Sequence, residues 1–209
     1  MQTIRIAAPS WLPAFLAARP EHYVDDAARM RLALDLARAN IRAGTGGPFG
    51  AAVFAAADGR LLAAGMNLVS SSHCALAHAE MVALAAAQQA LRMPELGGVA
   101  GGCILASSAE PCAMCLGALP WSGISRLVCG ARDEDIRAVG FDEGDKPPGW
   151  PGLLARRGIG VVRDLGRDEA MAILNEYAAG GGMIYGPRGK PVAAAGPEPD
   201  ETVPPGHGS

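Results

Sequence analysis

One histidine and two cysteines are spaced in this sequence as ligands of a metal ion. His78 precedes Cys112 and Cys115, and the two cysteines form a Cys-x-x-Cys pair. An imidazole and two thiolates suit zinc, and three protein ligands leave the fourth tetrahedral position free for water. Glu80, two residues after the histidine, is a carboxylate that can move protons without binding the metal. The spacing therefore predicts a hydrolytic Zn²⁺ site with Glu80 as its acid–base group.

A Cys-x-x-Cys pair alone would also suit a redox site or a structural zinc site. Pro111 favours a helix that starts at Cys112, because proline is common in the first turn, and cysteines three apart then share one face. A redox pair has no need of the His-x-Glu element, and a structural zinc normally takes four protein ligands. Cys74 and Cys103 remain open as a fourth ligand on the sequence alone.

Length, charge and cysteine content indicate a small intracellular enzyme. The chain has 209 residues, enough for one domain with a sizeable core, and a net charge of −3 without a basic cluster. A nucleic acid partner is therefore not expected. Five cysteines, an odd number, favour a reducing compartment and a cytoplasmic location. Prolines interrupt the apolar stretch 6–18, and because no longer apolar run follows, no membrane partner is expected.

Hydrophobic periodicity and turn residues predict helices and strands that alternate along the chain. The predicted elements are helix 25–43, strands 51–56 and 61–66, helix 78–91, strand 103–107, helix 112–119, strand 126–130, helix 133–139, strand 159–162 and a helix over 170–177. A Gly/Pro-rich loop is predicted over 140–152. This order indicates a three-layer α/β/α fold with a mixed five-stranded sheet.

Three segments are expected along the chain. Residues 1–23 form an N-terminal extension, 24–185 the zinc-dependent domain, and 186–209 a tail in which 11 of 24 residues are glycine or proline. So high a Gly/Pro content predicts a flexible tail.

Several motifs resemble those of the cytidine-deaminase-like superfamily, whose signature is H-x-E followed by P-C-x-x-C. The resemblance covers about residues 29–185 and is strongest to a bacterial branch of guanine deaminases that includes ammeline deaminases. The motifs are Gly46-Gly47-Pro48-Phe49-Gly50, Ala77-His78-Ala79-Glu80, Ser108-Ala109-Glu110-Pro111-Cys112, Trp121-Ser122-Gly123 and Gly140-Phe141-Asp142-Glu143-Gly144. Where the family has a bulky residue or proline after the first cysteine, this chain has Ala113.

The resemblance implies hydrolysis of guanine to xanthine and ammonia. It also implies that Glu143 carries a second proton and that the enzyme is a homodimer. Residues expected to contact the nucleobase substrate are Asn67, Phe49, Trp121 and Tyr185. From the residues alone, Glu143 could instead be a solvated loop acid and Asn67 could close a turn. Phe49 and Trp121 could fill the core, and Tyr185 could reach its own or a neighbouring subunit.

Other functions share parts of this pattern. A deaminase of another small amino-heterocycle (ammeline, cytosine, a pterin or a nucleoside) would use the same zinc chemistry. A tRNA adenosine deaminase should show a basic face, which a chain of net charge −3 does not suggest. A non-catalytic zinc-binding module would have no use for Glu80.

Overall fold

Helices and strands alternate along residues 4–185, the part of the chain that this computed structural model describes. In chain order the elements are α1 (Leu12–Ala17), α2 (Asp26–Arg42), β1 (Gly50–Ala55), β2 (Leu61–Met66), α3 (Val69–Ser72), α4 (Ala79–Leu91), β3 (Cys103–Ala109), α5 (Ala113–Ser122), β4 (Arg126–Ala131), α6 (Asp133–Ala138), α7 (Trp150–Ala155), β5 (Gly160–Val162) and α8 (Arg167–Ala179). Every strand predicted from the sequence is present, with ends that differ by at most two residues.

The five strands form one mixed sheet in the order β2-β1-β3-β4-β5. β1 runs antiparallel to β2 and β3, whereas β3, β4 and β5 run parallel to one another. Parallel neighbours need a crossover connection, which α5 supplies between β3 and β4, and α6 and α7 supply between β4 and β5. The predicted mixed five-stranded sheet is confirmed.

Helices cover both faces of this sheet. Successive side chains of a strand point to opposite faces, so Phe54 packs in one core cluster with α2 and α8, while Val53 packs in the other with α4 and α5. The clusters consist of fully or nearly fully buried aliphatic and aromatic side chains. The three-layer α/β/α arrangement predicted from the sequence is therefore confirmed.

The start of α2 shows how local sequence sets an element. Asp25 has an extended backbone, and its Oδ1 accepts a hydrogen bond from the Ala28 N–H at 2.7 Å. This N-cap satisfies one of the free N–H groups that a helix leaves at its beginning. Met30 and Leu34, two residues of the predicted apolar stripe, are then buried on the sheet side.

Three short helices were not predicted from the sequence. Pro13 and Pro151 lie in the first turns of α1 and α7, where proline is tolerated because its missing N–H has no helical partner anyway. The predicted loop over 140–152 consequently ends at Trp150, where α7 begins. α3 follows the end of β2 after only two residues.

Several residues between positions 4 and 23 pack against the same domain. Leu12 and Tyr23 belong to the core cluster of α2, and Trp11 Nε1 donates a hydrogen bond to Thr45 Oγ1 at 3.1 Å. The domain boundary at residue 24 stays a prediction, and the predicted tail over 186–209 lies outside the described residues. Between residues 4 and 185, no helix combines the length and apolarity needed to cross a membrane.

One edge of the sheet gathers the ends of four strands. Gly50 at the start of β1 pairs with Met66 at the end of β2, and Ala109 at the end of β3 pairs with Ala131 at the end of β4. In open α/β sheets, ligands bind outside the carboxyl ends of the strands. The loops that leave this edge carry His78, Cys112 and the segment 140–146.

Candidate active site

The three predicted metal ligands meet at this edge. His78 Nδ1 lies 3.4 Å from Cys112 Sγ and 3.6 Å from Cys115 Sγ, and all three ligand atoms lie within 4.8 Å of one another. Tetrahedral Zn–N and Zn–S bonds of roughly 2.0 and 2.3 Å place nitrogen and sulfur about 3.5 Å apart. The side chains therefore fit a zinc ion without rearrangement.

Two helix beginnings hold these ligands. His78 is the N-cap residue of α4 and Cys112 that of α5, so Cys115 falls in the first turn of α5. The free N–H groups and the macrodipole of a helix favour negative charge at its beginning. The site is therefore placed where thiolates are stabilised.

The two thiols have strongly unequal acidities. Interactions with Cys115 and, to a smaller extent, His78 lower the pKa of Cys112 to about 4, against the effect of burial. The interaction with Cys112 raises the pKa of Cys115, as do burial and the nearby Glu80 carboxyl. One thiolate is thus present at neutral pH from protein interactions alone, and coordination deprotonates a thiol outright.

Glu80 lies beside the ligands and is itself buried. Its Oε2 accepts a hydrogen bond from Cys115 Sγ at 3.6 Å, and the residue is 6% exposed. Burial and the negative charge of Cys112 raise the pKa of the Glu80 carboxyl. A raised pKa brings a carboxylate closer to the working pH, where it can both take up and release a proton.

Glu143 reaches the same cavity from the segment 140–146. It is buried, and its Oε2 has no hydrogen-bond partner within residues 4–185. Burial raises the pKa of Glu143 to about 8, although the Lys146 charge acts in the opposite direction. A solvated loop acid would not be buried, so this surrounding favours the proton-carrying role.

Its neighbour Asp142 has a different use. Asp142 Oδ1 accepts a hydrogen bond from the Gly144 N–H at 2.8 Å and lies 3.7 Å from Arg137 Nη1. These contacts shape the turn, so Glu143 is the better candidate for the second proton carrier.

Asn67 lies just after β2 and is 1% exposed. Its N–H donates to the Phe49 carbonyl at 3.0 Å, and its carbonyl accepts from Asn40 Nδ2 at 2.8 Å. Gly46 lies so close to the Asn67 carbonyl that any side chain there would clash with it. Asn67 Oδ1 accepts from the Val69 N–H at 3.3 Å, so it also closes the turn into α3, and its amide nitrogen is the donor available to a ligand.

Aromatic rings form one wall of the cavity. Phe141 packs edge-to-face with Phe49, at 5.1 Å between ring centroids, and with Tyr185 at 5.8 Å. Tyr177 stacks on Phe141 at 6.2 Å. Such a wall suits a planar heterocycle. The predicted residues Phe49 and Tyr185 are therefore both part of the site.

The hydroxyl of Tyr185 is buried among these rings. It has no hydrogen bond of normal geometry to the described residues, and burial raises its pKa, opposed by the nearby Asn67 side chain. A buried polar atom without a partner is costly. Together with Glu143 Oε2, it leaves two polar atoms in the cavity for which a polar ligand would supply partners.

The cavity has a volume of about 410 Å³, within the range of small-molecule sites. Its lining comprises Phe49, Asn67, Ala75, His78, Ala79, Glu80, Ala109, Glu110, Cys112, Ala113, Met114, Phe141, Asp142, Glu143, Gly144 and Tyr185. Sequence reasoning gave no role to Phe141, Met114 or Ala75. Phe141 could have been found, because it lies in the quoted Gly-Phe-Asp-Glu motif of a chain with only four phenylalanines.

Trp121 is the predicted substrate contact that the structure does not bring to the cavity. It lies near the end of α5, is 82% exposed and is not among the lining residues. α5 is apolar on nearly all sides, so position in the motif could not distinguish a pocket residue from a surface one. Leu119, two residues earlier in the same helix, is buried within its own chain.

Comparison with known proteins adds to this geometry. Residues 24–131 match the family model of the cytidine and deoxycytidylate deaminase zinc-binding region. The guanine deaminase of Bacillus subtilis strain 168 is 39% identical over 114 residues, which are 54% of this chain and 69% of that protein.

Two solved structures are similar over nearly their whole lengths. One is the guanine deaminase from Nitrosomonas europaea, with 46% identity and a TM-score of 0.80 over 85% of this chain and 97% of that chain. The other is a protein in complex with 2,6-diaminopurine, with 47% identity and a TM-score of 0.80 over 88% of this chain and 96% of that chain.

Proposed function

The chain belongs to the guanine deaminases of the cytidine and deoxycytidylate deaminase family, and we propose that it hydrolyses guanine to xanthine and ammonia with Glu80 and Glu143 as proton carriers. The observation that carries this proposal is the meeting of a three-ligand metal set with two buried carboxyls in one cavity. A structural zinc site has no use for either carboxyl.

His78, Cys112 and Cys115 would hold the zinc ion. When bound, zinc lowers the pKa of a coordinated water towards about 7, so that a nucleophile is available near neutral pH. Glu80 lies against Cys115 and accepts a proton from the attacking water. It delivers this proton to N3 of guanine as C2 becomes tetrahedral.

The exocyclic amine needs a second proton before it leaves as ammonia. Burial raises the pKa of Glu143 to about 8, which favours the protonated carboxyl at neutral pH. Its Oε2 faces no hydrogen-bonding partner among residues 4–185. We assign delivery of the second proton to Glu143.

The remaining lining residues bind the base. Phe49 and Phe141 supply apolar surface for the purine plane, and the Asn67 amide and the Tyr185 hydroxyl supply polar partners for its edge. The similar structure in complex with 2,6-diaminopurine supports a purine as the ligand. A site built to hydrogen-bond one edge rejects analogues that leave its buried polar groups unpaired.

A panel of substrates tests the proposal. We expect guanine to yield xanthine and ammonia in equal amounts, and adenine, guanosine and cytosine to yield ammonia slowly or not at all. Faster release from cytosine or ammeline than from guanine would contradict the substrate assignment while leaving the deaminase chemistry intact.

We further propose that the protein acts as a homodimer in the cytoplasm. α5 buries Cys115, Leu116 and Leu119 yet exposes Trp121 and Gly117 on its outer side. A helix that is apolar all round is normally buried, which supports a second copy on this face. All five cysteines are free thiols, which suits a reducing compartment.

Sedimentation distinguishes the assembly states. Trp121→Glu should convert the dimer to a monomer, whereas Arg157→Glu, at an exposed position on the segment after α7, should leave the dimer intact. A wild-type protein that is monomeric at micromolar concentration would contradict the dimer.

A further inference from the structure

Lys146 is the only lysine in residues 4–185, and its side chain is 7% exposed. Burying a charged ammonium is unfavourable unless several oxygens surround it. The mechanism described above gives this residue no role, although it lies three residues after Glu143.

The ammonium group contacts two other segments and one residue of its own segment. Lys146 Nζ donates a hydrogen bond to the Pro111 carbonyl at 3.1 Å and pairs with Asp133 Oδ1 at 2.6 Å. It also lies 3.8 Å from Glu143 Oε2, too far for a hydrogen bond but within ion-pair range. An ammonium has three N–H donors, and here the three oxygens belong to the ligand loop, to α6 and to the segment of Glu143.

Its partner Asp133 is anchored as well. The Asp133 N–H donates to Glu110 Oε2 at 3.1 Å, and Asp133 Oδ2 accepts from Arg137 Nε at 2.6 Å. Glu110 directly precedes Pro111. The ammonium of Lys146 is therefore held between groups that are connected to the loop of Cys112.

A backbone hydrogen bond also connects the segment 140–146 to the loop of Cys112. The Ala113 N–H donates to the Glu143 carbonyl at 2.9 Å. Gly144 has φ +68°, and a Cβ on it would lie 2.9 Å from the Ala113 Cβ, so only glycine permits this approach. Proline at position 113 would lack the donor N–H, which gives the alanine beside the metal site a physical role.

We propose that Lys146 is a positioning residue for Glu143: it fastens the segment of this proton carrier to the loop that carries the first cysteine ligand, and keeps the Glu143 carboxyl at the cavity. The inference rests on the proposed function of Glu143. The hydrogen bond from the Ala113 N–H sets where the segment lies. The Lys146 charge, 3.8 Å from Glu143 Oε2, sets the direction of the side chain because it attracts this oxygen whether the carboxyl is neutral or ionised. The Lys146 charge also lowers the pKa of Glu143 against the effect of burial.

Lys146→Met tests this role because methionine has a side chain of similar length but lacks the positive charge and the N–H donors of lysine. We expect kcat for guanine to fall about tenfold or more, with KM changed less than about threefold, because proton transfer is affected and base binding is not. Zinc content should stay at one per chain. Lys146→Arg should recover part of the loss, and Arg157→Met, which removes an exposed cation, should have no effect.

A double-mutant cycle separates positioning from general structural support. In a Glu143→Gln background, Lys146→Met should lower kcat by less than about twofold, because the group it positions is already gone. An equal loss in both backgrounds would overturn the inference, as would a wild-type kcat in Lys146→Met.

A second variant, Lys146→Gln, keeps the inference testable if Lys146→Met does not fold. Lys146→Gln keeps a donor for the Pro111 carbonyl while removing the charge, and the same cycle applies to it with the same two outcomes. A wild-type protein that forms no xanthine would overturn the proposed function instead, so the two failures are distinguishable.

Discussion

His78, Cys112 and Cys115 lie at the beginnings of two helices of 13 and 10 residues, whereas Glu143 and Tyr185 lie in segments without regular structure. We refer to His78, Glu80, Cys112 and Cys115 as the metal side. The substrate side consists of Phe49, Asn67, Phe141, Glu143 and Tyr185. Backbone hydrogen bonds of α4 and α5 position the metal side. Hydrogen bonds from side chains to backbone carbonyls, such as those of Lys146 and Asn40, position the substrate side.

This difference separates two tasks. Metal ligands must keep distances within a few tenths of an ångström, which suits helix beginnings anchored on the sheet. A site that admits and releases a base needs segments that can move, and irregular segments are the less stable parts of a fold. Substitutions on the metal side should therefore abolish the reaction, while those on the substrate side should slow it.

The largest effect is expected on the metal side. Cys112→Ala removes one of three ligands, so zinc should be lost and turnover should fall by more than about a thousandfold. Thermal stability should fall too, because a bound metal contributes to folding. Zinc analysis and xanthine formation check both. Cys74→Ala is the control, since this half-buried thiol is outside the cavity lining; a loss of zinc in that variant would contradict the ligand assignment.

A smaller effect is expected for Glu143→Gln on the substrate side. Glutamine keeps the size of the side chain but cannot donate a carboxyl proton, so kcat should fall about ten- to a hundredfold with zinc retained. Since burial raises the pKa of Glu143 to about 8, the wild-type carboxyl is protonated below that pH and ionised above it. Wild-type activity should therefore decline as pH rises through about 8.

The pH profile provides the control for that variant. The decline above this pH should be missing from Glu143→Gln, whose side chain does not titrate. If activity declined in the same way in both proteins, the decline would belong to another group. Glu143 would then not be the carrier of the second proton.

The smallest effect is expected for Tyr185→Phe. Removing one hydroxyl that hydrogen-bonds the bound base should lower kcat/KM about three- to tenfold, the value of a single hydrogen bond. Tyr23→Phe is a matched control, because the Tyr23 hydroxyl is also buried without a partner among residues 4–185 but lies outside the cavity. If both substitutions had the same effect on kcat/KM, the proposed hydrogen bond between Tyr185 and the base would be contradicted.

The two sides also differ in how far the sequence predicted them. The metal ligands lie in two short motifs, His-x-Glu and Cys-x-x-Cys, at the beginnings of two helices, and such local spacing can be recognised in a sequence. The structure brings His78, Cys112 and Cys115 within reach of one ion. The sheet was equally predictable, since hydrophobic alternation and the Asp58-Gly59 turn are local signals.

The substrate side depends on contacts between residues distant in sequence. Phe141 meets Phe49 and Tyr185 only because three loops converge at one sheet edge, and no local pattern encodes that. Trp121 shows the opposite case, because its position beside the zinc motif suggested a pocket contact while helix geometry turns it outward. Lys146 was not predicted, since two of its three oxygen partners, on Pro111 and Asp133, come from other segments of the chain.

The most direct test of the whole account measures zinc content and xanthine formation in Glu80→Gln. Glu80 lies on the metal side, but its proposed role is to transfer a proton and not to bind zinc. Glutamine keeps the size of this side chain without its basicity. We predict one zinc per chain, as in the wild type, and turnover of guanine reduced by about a hundredfold or more. Loss of zinc, or turnover close to that of the wild type, would contradict the separation of metal binding from proton transfer.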